Sequence, residues 1–231
     1  MQLNNKVVAI MQPTFLPWLG YFHMIKQSDV FVFLDDVQVT KRSWQTRNRF
    51  KSSSGEYFVT VPIKKGNSRS LIKDCEVAID SSWKDNLFKS IDFSYSKSEK
   101  YNDNKDFILS LFSQEFKFLS ELNCFIIESI SRNLGIQTEF IKSSELNSTG
   151  KRDDYLSSIC LELEGKTYLS AQGSREYIES GENFFTKKGI DVVYNDYNHP
   201  VYNQQYGSFI SHLSVIDAIF NIGIDSLKSI I

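Results

Sequence analysis

An α/β fold built on a mainly parallel sheet, with a β-hairpin and a central helical insertion, is what this sequence predicts, and three features predict it. Two short apolar runs, Val7-Val8-Ala9-Ile10-Met11 and Val30-Phe31-Val32-Phe33-Leu34, flank a segment long enough for one helix. Neither run alternates with polar residues, which fits strands buried on both faces. After residue 138, strand-like and helix-like segments alternate again, as they do in α/β proteins.

Pro13 and Pro17 close the first run, and Pro17 suits the first turn of a helix reaching about residue 27, where its missing donor costs nothing. The result is a βαβ unit, whose crossover helix makes the two strands parallel. Residues 47–63 read as two strands around Ser52-Ser53-Ser54-Gly55, a hairpin. A short strand is expected over 75–79, a helix over 83–91, and a helical stretch over 106–134 closed by Gly135 as its C-cap. Strands follow at 138–141, 167–171 and 191–194, with helices at 153–163 and 174–178 between them. Ser214 and Asp217 have capping-box-like spacing, with Asp in place of Glu or Gln, and start a last helix that ends before Gly223. No repeat or linker divides the chain. It is expected to form one domain over 1–231, Rossmann-like, with the helical insertion at about 83–135.

The 231 residues carry 26 Lys+Arg against 28 Asp+Glu and are 41% apolar, the composition of a folded globular protein. A net charge of −2 removes the general electrostatic case for nucleic acid or an anionic membrane. Cys75, Cys124 and Cys160 lie far apart and form no C-x-x-C pair, so neither a disulfide framework nor a metal site is indicated. The first apolar run is too short for a signal peptide or a membrane span, which points to the cytoplasm.

In an open parallel sheet, ligands bind beyond the carboxyl ends of the strands, so chemistry is sought just after each one. After the first come Gln12, a proline-rich turn, and Gly20 and His23 near a helix N-terminus where an anion could meet unpaired N–H groups. His23 either lines that site or flanks the helix's apolar face. After the second stand Asp35 and Asp36. Adjacent residues in a strand point to opposite faces, so one carboxylate, Asp35, is expected to face the cleft. There it would bind a cation, accept a sugar hydroxyl or serve as a general base, unless it only starts a turn.

The segment Lys41-Arg42-Ser43-Trp44-Gln45-Thr46-Arg47-Asn48-Arg49-Phe50-Lys51 holds five cations in eleven residues and no acid. If its second half is extended, Arg47, Arg49 and Lys51 share a face and, with Lys41 nearby, suit a phosphate or carboxylate. A charged edge strand is the alternative. Gly173 and Ser174 follow a strand as a tight turn and helix N-cap, a second candidate anion site. His199, in a loop rich in hydrogen-bonding groups, is a candidate general base. Asp35 and His199 would meet one substrate at the end of the sheet.

Met11-Gln12-Pro13-Thr14-Phe15-Leu16-Pro17-Trp18-Leu19-Gly20-Tyr21-Phe22, Val32-Phe33-Leu34-Asp35-Asp36-Val37-Gln38 and Lys41-Arg42-Ser43-Trp44-Gln45-Thr46-Arg47-Asn48-Arg49 closely resemble the WbqC-like protein family. The likeness continues through Thr60-Val61-Pro62, Tyr168-Leu169-Ser170 and residues 213–223, with Ala171 where glycine is expected. The opening also resembles nucleotidylyltransferase-type folds but lacks their second histidine. The resemblance implies a bacterial protein associated with O-antigen lipopolysaccharide or other surface-polysaccharide gene clusters, and no cofactor can be carried over from it. Two functions stand. One is a transferase moving an acyl or aminoacyl group to a nucleotide-linked amino sugar, with Arg47 and Arg49 holding phosphate and Asp35 or His199 taking a proton. The other is a non-catalytic protein that binds a nucleotide-activated sugar, another phosphorylated small molecule or a glycan, with polysaccharide-biosynthesis enzymes as partners.

Overall fold

In the computed structural model, residues 5–40, 42–182 and 184–231 are described. The chain divides into two compact units, each built from three separate stretches. The first takes the chain as far as Gln12, then His23–Asp36 and Ile136–Asn198, and the second takes Pro13–Phe22, Val37–Gly135 and His199–Ile231.

The first unit holds five parallel strands: β1 (Val7–Met11), β2 (Val30–Phe33), β5 (Glu139–Lys142), β6 (Thr167–Ala171) and β7 (Asp191–Asn195), in the spatial order β5-β2-β1-β6-β7. Counted within the sheet alone, that order is 3-2-1-4-5, the doubly wound Rossmann arrangement, and the direction of winding reverses between β1 and β6. Registers such as Val8 opposite Val30, Ile10 opposite Val32 and Val8 opposite Tyr168 place apolar side chains side by side on one face. These meet Ile159 and Cys160 of helix α5 (Asp153–Glu162) and Phe185 of the single-turn helix α7 (Phe184–Lys187). Phe185 stacks on Tyr168 with ring centroids 4.6 Å apart. Helix α1 (Leu19–Lys26) links β1 to β2, and as that helix ends the single Thr138 hydroxyl proton is shared between the carbonyls of Ile25 at 2.7 Å and Ser28 at 3.0 Å. The fold class expected from the sequence is thus present.

The second unit is built on the antiparallel ribbon β3 (Arg47–Ser52) and β4 (Gly55–Thr60), with helices α2 (Ser81–Tyr95), α3 (Tyr101–Ser110), α4 (Leu119–Asn133) and α8 (Val215–Ile230). Gly55, at φ +102°, makes the tight turn of the ribbon. The core centres on Phe50, Tyr95, Tyr101 and Phe220, all at or near complete burial and in ring contact.

Several element expectations need correction. The helical stretch over 106–134 is two helices, because Glu121 turns back and accepts from the N–H groups of Lys117 and Phe118, which starts α4 afresh. Residues 75–79 form no strand but only single bridges, Ile63 with Val77 and Glu76 with Phe118. Gly223 leaves helical geometry at φ +82°, ψ 159°, yet the chain resumes its helix to Ile230, burying Leu227. Ser174 precedes helix α6 (Arg175–Glu179) without a side-chain cap bond. A 3-10 turn, Gln172–Ser174, already holds Ser174 at φ −94°, ψ −5°, whereas a capping serine needs an extended backbone. Helix α7 escapes a periodicity argument because four residues span barely one turn.

Candidate functional site

Asp35 and Asp36 belong to the first unit, and their carboxylates do not point to opposite faces. Strand β2 ends at Phe33, so the two-residue period no longer applies when the aspartates are reached. Both turn toward the 3-10 turn Ser143–Glu145 that follows β5. Asp35, 1% exposed, accepts from Ser144 N–H at 3.1 Å and from Ser144 Oγ at 3.0 Å, while its own N–H donates to Ser143 Oγ at 3.1 Å. Ser143 Oγ donates to Asp36 at 2.6 Å, and the Tyr155 hydroxyl donates to the other oxygen of Asp36. Burial, followed by the Asp36 carboxylate, pushes the Tyr155 phenol well above its ordinary value. Two acids and two serines thereby tie the end of β2 to the end of its neighbour β5.

The remaining candidates of the first unit are dispersed. Gln12 lies half-buried just past β1, and Gly173 is exposed in its turn. His23 Nδ1 lies 2.7 Å from Asn195 Oδ1, and its ring packs on Tyr197 at 4.8 Å between centroids. His23 and Asn195 border an open cavity of about 490 Å³ that includes Gln27, Leu169 and Tyr194 in its walls.

In the second unit, residues 42–46 form a compact loop that leads into β3. Gln45 Oε1 accepts from Thr40 N–H at 2.9 Å and from Ser43 Oγ at 3.0 Å, and the fully buried Asn123 donates to the carbonyls of Pro13 and Gln45. Lys41 falls outside the described residues. Arg42 and Arg47 line a cavity of about 420 Å³ with Thr40, Thr46 and Thr60. Neither arginine has an acidic partner among the described residues. Arg49, two residues on, is engaged: Nη1 donates to Glu56 at 2.7 Å and Nη2 to the His212 carbonyl at 3.0 Å.

Lys51 also differs from the expected cation face. It is 2% exposed, and its ammonium donates to Gln204 Oε1 at 3.0 Å and to the Ser208 carbonyl at 2.7 Å. Gln204 Nε2 in turn donates to Asp217 at 2.8 Å, as does the Tyr202 hydroxyl. Asp217 is fully buried, and burial raises its pKa from 3.8 to about 6 against the opposing pull of Tyr202, Lys51 and Gln204. Burial likewise lowers Lys51. The Ser214–Asp217 spacing is therefore no capping box. Ser214 caps α8 by accepting from Ile216 N–H, while Asp217 anchors the preceding loop. An acid inside the apolar run Val-Ile-Asp-Ala-Ile-Phe was the sequence signal for it.

His199 stacks on Trp18 with centroids 6.0 Å apart and planes 9° apart, and His212 lies 5.0 Å from His199 and 4.6 Å from Trp18. Burial lowers both histidines. His199 Nδ1 donates to the Pro200 carbonyl at 2.9 Å, which leaves Nε2 as the basic nitrogen of the neutral ring. Gly20 is required beneath this stack, since a Cβ there would lie 2.1 Å from the Trp18 ring. His212 went unsuspected because a lone surface histidine carries no pattern.

Of the candidates, Arg47, Arg49, Gly20 and His199 belong to the second unit, and Gln12, His23, Asp35, Gly173 and Ser174 to the first. The described residues contain no cluster of three His, Cys, Asp or Glu side chains that could hold a metal and no helix long and apolar enough to cross a membrane.

Residues 12–229 match the model of the WbqC-like protein family. The uncharacterized protein Rv1507c of Mycobacterium tuberculosis is 32% identical over 225 residues, 96% of each chain. No solved structure matches.

Proposed function

Because the chain belongs to the WbqC-like protein family, we propose that it handles a phosphorylated, nucleotide-activated sugar during assembly of bacterial surface polysaccharide, O-antigen lipopolysaccharide included. The cavity bordered by Arg42 and Arg47 supports this reading, since two arginines without acidic partners among the described residues line a cleft whose other walls are threonines and the apolar Val39, Val61, Pro62 and Ile63. Uncompensated cations in a cleft of an acidic protein draw anions, and the planar guanidinium matches phosphate oxygens in pairs. A cytoplasmic location is part of the proposal and agrees with three buried free cysteines.

The reaction that suits such a ligand is transfer of an acyl or aminoacyl group from an activated ester, thioester or acyl phosphate to a sugar amine. The amide C–N bond forms, the bond from the acyl carbon to its leaving oxygen or sulfur breaks, and the leaving group departs with the proton the amine gives up. His199 would take the proton from the attacking amine, because its Nδ1–H is held by Pro200 and burial favours the neutral ring. One observation favours the second reading, a non-catalytic binding and assembly protein. The Asp35 carboxylate is buried and bonded to Ser144, an arrangement of structural rather than catalytic character.

Calorimetric titration with UDP-glucosamine, whose 2-amine is free to accept an acyl group, tests the proposal. The unaltered protein binds, and Arg42→Gln/Arg47→Gln loses at least tenfold in affinity, since a hydrogen bond to a charged group contributes about 1.5–3 kcal/mol. Equal affinities in the two proteins remove the reading. Where binding holds, His199→Gln separates the functions: a transferase loses turnover roughly 10²–10⁴-fold at unchanged affinity, whereas a binding protein shows no turnover with any acyl or aminoacyl donor.

A further inference from the structure

The ribbon of the second unit and the loop that leads into it each carry one large aromatic side chain in the open, Phe58 and Trp44. Trp44 is 49% exposed and Phe58 46%, although rings of this size are ordinarily among the most deeply buried groups. Their rings lie 6.1 Å apart at 39°. In the β3–β4 ladder, Arg47 stands opposite Thr60 and Arg49 opposite Phe58, and residues directly opposite each other project from the same side. Arg47, Arg49, Phe58 and Thr60 therefore share one side of the ribbon. The Arg47 guanidinium lies 4.1 Å over the Phe58 ring and the Arg49 guanidinium 5.6 Å over that of Trp44.

Arg47 and Thr60 are also walls of the cavity described above, so the aromatic pair and the cationic cavity adjoin. Phe58 and Thr60 are two residues apart on one strand, about 7 Å. A ligand satisfying both features needs a planar, polarisable ring at one end and a compact anion at the other, with a short spacer between them. A hydrophobic partner protein would satisfy the rings and leave the arginines desolvated; a bare phosphate would leave the rings in water.

We propose that Trp44 and Phe58 form the base subsite of a nucleotide whose phosphates occupy the Arg42–Arg47 cavity. The subsite is preorganised. The Trp44 carbonyl accepts from Phe15 N–H at 2.8 Å, and Arg49, held by Glu56 and the His212 carbonyl, braces the indole from its own side of the ribbon. The proposal rests on the anion-binding reading of the cavity and assigns the remainder of the ligand.

Titration of the full chain with uridine 5′-diphosphate, adenosine 5′-diphosphate, the two free nucleosides and inorganic pyrophosphate tests it, followed by calorimetry and by the part of the tryptophan fluorescence quenching that Trp44→Phe abolishes, since Trp18 and Trp83 also emit. Trp44→Ala and Phe58→Ala should each weaken the nucleoside diphosphates roughly 5- to 150-fold, the usual effect of removing a stacking ring, and leave pyrophosphate affinity unchanged. Trp44→Phe should restore most of the loss. Both positions are half-exposed, so circular dichroism is expected to show intact folds. Nucleoside diphosphates that bind no more tightly than pyrophosphate, or equally to the alanine variants, overturn the base subsite and leave the anion reading standing. Pyrophosphate binding that is absent while nucleosides still quench Trp44 overturns the anion reading and keeps the subsite. Silence from all five probes overturns both.

Discussion

Asp217→Asn isolates the buried carboxylate that joins α8 to the loop carrying Tyr202 and Gln204. Burial lifts Asp217 from an ordinary 3.8 to about 6 in the folded chain, so the folded state holds this proton more tightly than the unfolded state does. Its contribution to stability is therefore fully present below pH 4 and lost as the pH rises through 6. The shift of about two pKa units, at about 1.4 kcal/mol each and partly expressed already at pH 4, gives a loss of roughly 2 kcal/mol between pH 4 and pH 7.5. The facing groups are Lys51 from β3, Tyr95 from α2, and Tyr202 and Gln204 from the loop, and only Lys51 carries charge near neutrality. His199 and His212, both lowered by burial, act in the opposite sense, since the folded state binds their protons less tightly. The absolute pH profile mixes these contributions, but the difference between the parent chain and Asp217→Asn removes the histidines. Urea denaturation from pH 4 to 7.5 should show the variant gaining about 2 kcal/mol on the parent as the pH rises, whatever the offset at pH 4 from placing an amide at Oδ1. Parallel curves, or a parent that gains on the variant, refute the argument.

Lys51→Met should move the Asp217 titration to higher pH, because the ammonium favours the charged carboxylate, and the inflection in unfolding free energy against pH reports it. Asp35→Asn should cost about 1–3 kcal/mol in chemical denaturation through its bonds to Ser144, whereas a free energy unchanged within error would mean that the contacts are not structural. Gly20→Ala should cost about 1–3 kcal/mol and alter the near-ultraviolet circular dichroism of Trp18, since the added methyl cannot share space with the indole.

Local chemistry made the sheet legible. Val-Val-Ala-Ile-Met and Val-Phe-Val-Phe are buried on both faces in β1 and β2, and a chain without polar alternation has few other ways to hide such runs. The ribbon was equally plain from Gly55 between two strand-like segments. The long helical stretch was misjudged where a side chain, Glu121, decided the break by reaching back to N–H groups that periodicity does not see. Arg47 stood out by charge density, but its difference from Arg49 did not, because Glu56 and the His212 carbonyl reach Arg49 only across the ribbon and from a segment 163 residues away.

Sequence by itself determined the fold class, the parallel strands and the cationic segment, since each is read from local runs of residues and from their order along the chain. Tertiary structure alone decided which charges are available. Lys51 is spent on Gln204 and Ser208, Arg49 on Glu56, and Asp35 on Ser144, while Arg42 and Arg47 border a cavity without acidic partners among the described residues. The physical reason is range. Secondary structure responds to neighbours along the chain, whereas the charge a cleft presents depends on which distant groups folding brings within about 3 Å of it.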